Sequence, residues 1–261
     1  MGDFSNKVVL ITGAAGGIGI ATAKAFAKEG AKLALVDLKK GSLEKAVKEA
    51  GINDALLLTA DVTNEEEVKK YVDDTVERYG RIDAFVNNAG INGDFANIVD
   101  QTVENFKNVL NINVIGVFLG LKYVMKVMMN QKEGSIVNMA SNGGLLGAPG
   151  MSSYVASNVA SKHGVIALNK TAALEGAEYG IRSVAVCPSG VDTQMMRSIE
   201  KNAMPGKEEE AKSVFEASVP MNRYAEATEI ANLITFLASE KASFISGSYY
   251  RIDGGQGATS V

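Results

Sequence analysis

The residues that invite chemistry fall within one stretch, Ser141 to Lys162, reading SNGGLLGAPGMSSYVASNVASK. It holds a hydroxyl at Ser141, a phenol at Tyr154 and an amine at Lys162, parts that can move a proton at an oxygen while a hydride moves at the neighbouring carbon. A tyrosine with a reference pKa of about 10 does this near neutrality only if an adjacent cation lowers that value. Here the cation is distant. VASN at 155–158 is followed at once by VASK at 159–162, and this near-perfect repeat separates Tyr154 from the nearest lysine.

The rest of the chain has to position that stretch. With 261 residues, 46% hydrophobic and 21% charged, it is long enough for one large core and short for two enzyme domains, so a single domain is expected. The balance of 26 basic and 30 acidic residues gives a net charge of −4, which argues against nucleic acid or anionic membrane as partner. The lone cysteine, Cys187, excludes an internal disulfide, suits a reducing cytosol, and reads as a small buried strand residue. His163, the only histidine, has no second ligand nearby, and no metal site is expected. The opening residues MGDFSNK lack the apolar run of a secretion signal, and no stretch of eighteen uninterrupted apolar residues occurs further on. A soluble cytoplasmic protein is expected.

Short β-rich runs begin at Val8, Lys32, Ala55, Ala84, Ser135, Ser183 and Tyr249, and alternate with helical periodicity over residues 18–29, 43–50, 65–79, 103–129, 152–179 and 228–238. Gly30, Gly51, Gly80 and Gly180 supply left-handed stops. Strand and helix alternating along a chain predict an α/β fold, a doubly wound parallel seven-stranded sheet with helices on both faces. In such a sheet the ligand crevice lies beyond the carboxyl ends of the strands.

Those ends are informative. After the first strand comes TGAAGGIG, in which Gly13, Gly17 and Gly19 permit a tight turn and Ile18 opens a helix whose N-terminus can face a pyrophosphate. Asp37, followed by Leu38, ends the second strand 18 residues past Gly19, where a carboxylate can accept from both ribose hydroxyls of adenosine and repel a 2′-phosphate. Lys39 and Lys40 would favour a phosphate, yet neither Ala14 nor Ala15 in the loop is basic. NAD is therefore expected over NADP. Asp61-Val62 ends the third strand and Asn87-Asn88-Ala89-Gly90 the fourth.

Together, Thr12-Gly13-xxx-Gly17-x-Gly19, the Asn-Asn-Ala-Gly run and the 13-residue spacing from Ser141 to Tyr154 resemble the short-chain dehydrogenase/reductase family, members of about 250 residues, over nearly the whole chain. The resemblance implies a Rossmann fold binding a nicotinamide dinucleotide. It places Asp61 near the adenine amino group, gives Val62 a backbone contact, and sets Asn88, Ala89 and Gly90 along the cofactor. Asn113, in Asn-Val-Ile-Gly, would help hold a water of a proton relay; Ser141 would polarise the substrate oxygen, and Tyr154 would be the acid/base. In CPSGVDT, Pro188 and Thr193 would touch the nicotinamide end, with Ser189 where glycine is usual and Gly190 restoring some flexibility. Residues 194–220, with Met195, Met196, Ile199, Phe215 and an acidic run at Glu208 to Glu210, would form a mobile substrate lid with an apolar underside. Arg251-Ile252-Asp253-Gly254-Gly255 resembles the last strand and turn, near a subunit contact; a homotetramer is the first expectation and a homodimer the second.

The family lysine stands four residues after the tyrosine, and there this chain departs. Four extra residues add about 6 Å of helix and rotate the downstream residues by about 40°. Either Tyr154 keeps its place and Asn158 fills the lysine position, or Lys162 keeps its place and Asn158 fills the tyrosine position. The amphipathic helix after the repeat resists a shift, while NGGLLGAPG before it holds four glycines and can bend, which favours the second threading. The expected activity is NAD(H)-dependent interconversion of a secondary alcohol and a ketone, impaired if the repeat parts Tyr154 from Lys162; the alternative is a dinucleotide-binding protein with little catalysis.

Overall fold

The computed structural model describes residues 2–95, 97–146 and 152–258, with residues 152–157 described through their backbone only. Seven parallel strands form one sheet: β1 (Val8–Thr12), β2 (Lys32–Asp37), β3 (Ala55–Thr59), β4 (Ala84–Asn87), β5 (Gly134–Met139), β6 (Ile181–Pro188) and β7 (Tyr249–Ile252). Their order is β3-β2-β1-β4-β5-β6-β7. The expected seven-stranded, doubly wound single domain is what folds. The order reverses between β1 and β4, and parallel register brings Thr12, Asp37, Asn87 and Pro188 to one edge. A crevice opens where neighbouring crossovers leave in opposite directions.

Parallel strands need cover on both faces, and the sequence supplies it by alternation. Leu10, Phe85 and Ile136 point to one face, where they pack with Val124, Met128 and Val165. Val9, Ile11, Leu35 and Val137 point to the other, against Phe26, Ile230 and Ile234. Helices α1 (Gly17–Lys28), α2 (Lys40–Glu49) and α9 (Ala227–Ala238) serve the second face. The first is served by α3 (Glu65–Tyr79), α5 (Gly116–Gln131) and α6 (Ser152–Gly176), with α4 (Val103–Leu110) packed against α6. The helix α3 shows why such segments start and stop: Asn64 accepts from the Glu66 and Glu67 amides, three glutamates fill the first turn, and Gly80 ends it at φ 80°. Gly30, Gly51 and Gly180 likewise have positive φ.

Two helical segments differ in detail from their periodicity. The run over 103–131 is continuous but passes through a π-helical turn, Asn111–Ile115, between α4 and α5. By length and composition this run is long and apolar enough to cross a bilayer; in the fold half of its most apolar window is buried, against α3, α6 and the sheet. The segment after α6 tightens into a 3-10 turn, Ala177–Tyr179. Between β6 and α9 lie α7 (Gln194–Ala203) and α8 (Glu208–Ala217), where sequence reading expects a lid. The acidic run Glu208 to Glu210 is the first turn of α8, its charges set against the positive end of the helix dipole.

Candidate active site

A cleft of about 520 Å³ runs along the carboxyl edge of the sheet, across the switch point. At one end the β1–α1 loop forms its floor. Gly13 takes φ 63°, and a Cβ there would lie 2.9 Å from the Ala89 Cα. At Gly17 a Cβ would meet Thr193 Cγ2 at 2.5 Å, and at Gly19 the Gly13 carbonyl at 2.2 Å. The glycines thus let strand end, helix start and the loop after β6 close on one another. Thr12, fully buried, fixes the next strand by accepting from the Asn88 and Ala89 amides at 3.0 and 3.2 Å, while Asn88 Nδ2 donates to the Thr12 and Gly13 carbonyls. Asn87 points instead toward α5, donating to the Val117 carbonyl at 3.0 Å.

Asp37, Leu38, Asp61 and Val62 line the same end. The Asp37 carboxylate accepts the Ala15 amide at 2.9 Å and thereby pins the glycine loop. Asp61 accepts from the Thr63 amide and hydroxyl, both at 2.8 Å, and Val62 packs where a side chain on Gly116 would clash. The Lys40 amine reaches Glu44 at 3.8 Å, and neither Lys39 nor Lys40 forms part of the cleft wall. Among the described lining residues the charged groups are Asp37, Asp61 and Lys162. A glycine cradle at a helix N-terminus beside a strand-end carboxylate fits a dinucleotide: the first suits its pyrophosphate and the second its adenosine ribose.

At the other end Ser141, Asn158, Lys162, Pro188 and Thr193 converge, with Ile91, Met139, Met195, Met196 and Ile199 as apolar wall. Ser141 Oγ accepts the Gly143 amide at 3.1 Å, which leaves its proton to donate. Lys162 is enclosed, its Nζ donating to the Met139 carbonyl at 3.0 Å. Burial pushes the Lys162 ammonium down to about 8, opposed weakly by the neighbouring Cys187. Cys187 is itself buried on β6, its thiol pushed up to about 11 by the same enclosure.

Asn113 sits behind this wall rather than in it. Fully buried in the π turn, it accepts the Ile91 amide at 2.8 Å and donates to the Ile91 carbonyl at 2.9 Å and Ser161 Oγ at 3.1 Å. Its carboxamide oxygen lies 3.0 Å and the Lys162 Nζ 3.5 Å from where a Cβ on Gly90 would stand, so a side chain there would press on Asn113. A π turn in a long helix is a common mark of a functional position.

The downstream half of the repeat is held by packing around Lys162. A Cβ on Gly144 would lie 2.9 Å from Lys162 Cβ and 3.0 Å from its carbonyl carbon, so the 3-10 turn after Ser141 (Asn142–Gly144) rests directly on α6 at Lys162. With Lys162 fixed from that side and Ser161 from Asn113, the residue one turn earlier that lines the cleft is Asn158, 3% exposed, its Nδ2 reaching Asn92 Oδ1 at 3.4 Å. In the threading that keeps Lys162 in place, Asn158 is the residue that would stand at the tyrosine position. The Tyr154 side chain, and with it the expected separation of phenol and ammonium, lies outside the described residues, as do residues 147–151 of the preceding loop.

Sequence reading missed the role of Asn92 and Ile112 in the wall, since neither stands in a motif. At Gly190 the φ is not positive, and a Cβ there would lie 2.8 Å from the Tyr224 ring. His163 is exposed, its Nδ1 2.9 Å from the Val159 carbonyl, while Met125 and Met128 are core. Among the described residues no group of three or more His, Cys, Asp or Glu side chains could hold a metal.

Fold and site define a parallel α/β protein with a dinucleotide-shaped cleft ending in a serine and an enclosed lysine. The chain belongs to the short-chain dehydrogenase/reductase family: a family model described as enoyl-(acyl carrier protein) reductase matches residues 13–256. The levodione reductase of Leifsonia aquatica is 44% identical over 259 residues, covering 98% of this chain and 96% of that protein. The 3-oxoacyl-(acyl-carrier-protein) reductase FabG of Thermotoga maritima is 41% identical over 253 residues, 95% of this chain and 97% of its own. Among solved structures, a levodione reductase superposes with a TM-score of 0.94 at 41% identity, covering 98% and 100% of the two chains. An NAD+-bound xylitol dehydrogenase superposes with a TM-score of 0.89 at 39% identity, covering 97% and 99%. Alcohol and ketone oxidoreduction is the chemistry these relatives share.

Proposed function

We propose that this protein is an NAD(H)-dependent oxidoreductase that interconverts a secondary alcohol and a ketone. The observation that carries it is one cleft with Asp37 at its cradle end and Ser141 beside Lys162 at the other. Asp37, with no basic residue beside it in the described wall, supports NAD over NADP, and the NAD+-bound xylitol dehydrogenase agrees with that choice. Gly13 to Gly19, Leu38, Asp61, Val62, Asn88 to Gly90, Pro188 and Thr193 would hold the dinucleotide, which when bound supplies or accepts the hydride. Ser141 donates its free proton to the substrate oxygen. Lys162 holds positive charge near that oxygen, and Asn113 sets the backbone at Ile91 and the helix at Ser161. Tyr154 is the proposed acid/base.

Asn158 favours a second reading, a dinucleotide-binding protein of weak catalysis. A neutral amide, not a phenol, lines the cleft one turn before Lys162, and an amide neither supplies a proton nor takes one up. Calorimetric titration with NADH beside a turnover screen of neutral ketones and alcohols separates the two. Binding with turnover supports the first, binding without turnover the second, and absence of dinucleotide binding removes both. The apolar wall around Met195, Met196 and Ile199 suits a neutral substrate, in line with relatives named for levodione and xylitol. A cytoplasmic homotetramer, or failing that a dimer, completes the proposal.

A further inference from the structure

The C-terminal turn touches both the loop that carries Ser141 and the return of the lid. We propose that Gln256 is a positioning residue that couples the two, an inference resting on the reading of Ser141 as the group facing the substrate oxygen. Gln256 Oε1 accepts from Asn142 Nδ2 at 3.1 Å, and Gln256 Nε2 donates to Ser218 Oγ at 3.2 Å. Asn142 comes directly after Ser141, and Ser218 directly after the last residue of α8.

The base from which Gln256 reaches is fixed. Asp253 accepts the Gly255 and Gly257 amides at 3.1 and 2.8 Å, and Arg251 closes the turn by donating to the Gly257 carbonyl. Gly254 takes φ 58°, and a Cβ there would lie 2.6 Å from Val219, so the turn lies flat on the lid's return. The Gly254 carbonyl accepts the Met221 amide at 3.3 Å. A side chain on so constrained a turn transmits displacement instead of absorbing it.

The Asn142 end gives the coupling its force. Asn142 is 4% exposed; among the described residues its Oδ1 has no partner, and Gln256 is the one group its Nδ2 bonds. Without Gln256 both ends of a buried amide are orphaned, and the cheapest relief is for the loop to turn Asn142 toward water. Ser141, one residue away, moves with it. The lid's other helix has a separate anchor: Glu200 on α7 is 2% exposed, accepts from Tyr224 at 2.8 Å and lies 3.2 Å from Arg197. Gln256 therefore ties down the far end of the lid, α8, and relays its position to Ser141.

The test combines amide exchange with kinetics on the full chain. In Gln256→Leu, exchange should rise about fivefold both in residues 141–146 and in 208–219. In that variant kcat should fall about tenfold while NADH affinity holds, and Gln256→Glu, which keeps an oxygen for Asn142, should recover most of kcat. Ser218→Ala, at an exposed site, should quicken exchange in residues 141–146 that it does not touch. Confinement of the Ser218→Ala response to the lid, or unchanged 141–146 exchange in Gln256→Leu, overturns the coupling. The exchange measurements need no turnover, so an unmutated protein inactive on every ketone would count against the proposed function and leave this test standing.

Discussion

An enclosed ammonium with no carboxylate beside it is costly to keep charged, and Lys162 has among the described residues a single carbonyl for compensation. Its pKa is lowered by burial to about 8 in the fold, against 10.5 when free. Between those values the unfolded chain holds the proton more tightly, so this group's contribution to stability rises with pH from about 8 to about 10.5, at most about 1.4 kcal/mol per pH unit. Urea denaturation of the unmutated protein and Lys162→Met across that window should show the parent gaining on the variant; parallel curves would deny the enclosure. Asp37→Ala should narrow a preference for NADH over NADPH by about tenfold, read by fluorescence titration, since the carboxylate that repels a 2′-phosphate is gone. Equal affinities in the parent would sink the assignment. Asp37 was legible from spacing because a strand end and a glycine loop bound its place to within a residue. Asn158 was not: sequence left two threadings open, and its place in the cleft wall depends on how α6 packs on the turn at Gly144, a contact between segments that no spacing reports.

At the level of elements, the proposed threading with Lys162 in place makes the repeat a helical turn taken up by α6 ahead of Asn158. Deleting Val155 to Asn158 leaves Tyr-Val-Ala-Ser-Lys and should raise kcat by about a hundredfold, within the range a positioned acid contributes, with NADH affinity little changed. A deletion variant that folds equally well and is no faster would show that the repeat is no obstacle. Gly144→Ala should lower unfolding free energy by about 1–3 kcal/mol in urea, because its methyl would meet the α6 backbone. Helix existence and strand order were readable from period and punctuation, as in α3, where Asn64 and Gly80 bracket the apolar stripe. The π turn at Asn111–Ile115 was not, since a single extra residue per turn leaves apolar spacing almost unaltered. Only the apolar underside and acidic run of the lid showed in sequence; its division into α7 and α8 turns on Met204-Pro205-Gly206, with Gly206 at φ 78°.

The whole molecule leaves apolar side chains uncovered on the two helical runs expected to pair copies: Ile115 in the π turn and Phe118 on α5 are each 45% exposed, and Leu174 on α6 is 80% exposed. Sedimentation at micromolar concentration should give a tetramer or a dimer, and a monomer would count against the assembly. Fold class was legible because seven apolar runs and six crossovers admit few topologies; the depth at which each residue sits was not, since burial is a property of the packed sheet. Cys187 shows what that depth makes measurable. The chain's one thiol lies wholly inside β6, its backbone neighbours paired to β5 and β7, and near the Lys162 ammonium. No labelling reagent reaches it without parting the sheet beside the cleft. The chain thus carries a stopwatch at its centre: where a disulfide reagent is concentrated enough to outpace reclosing, the rate at which it is consumed is the rate at which this half of the sheet opens, and a dinucleotide that closes the cleft will slow the hand.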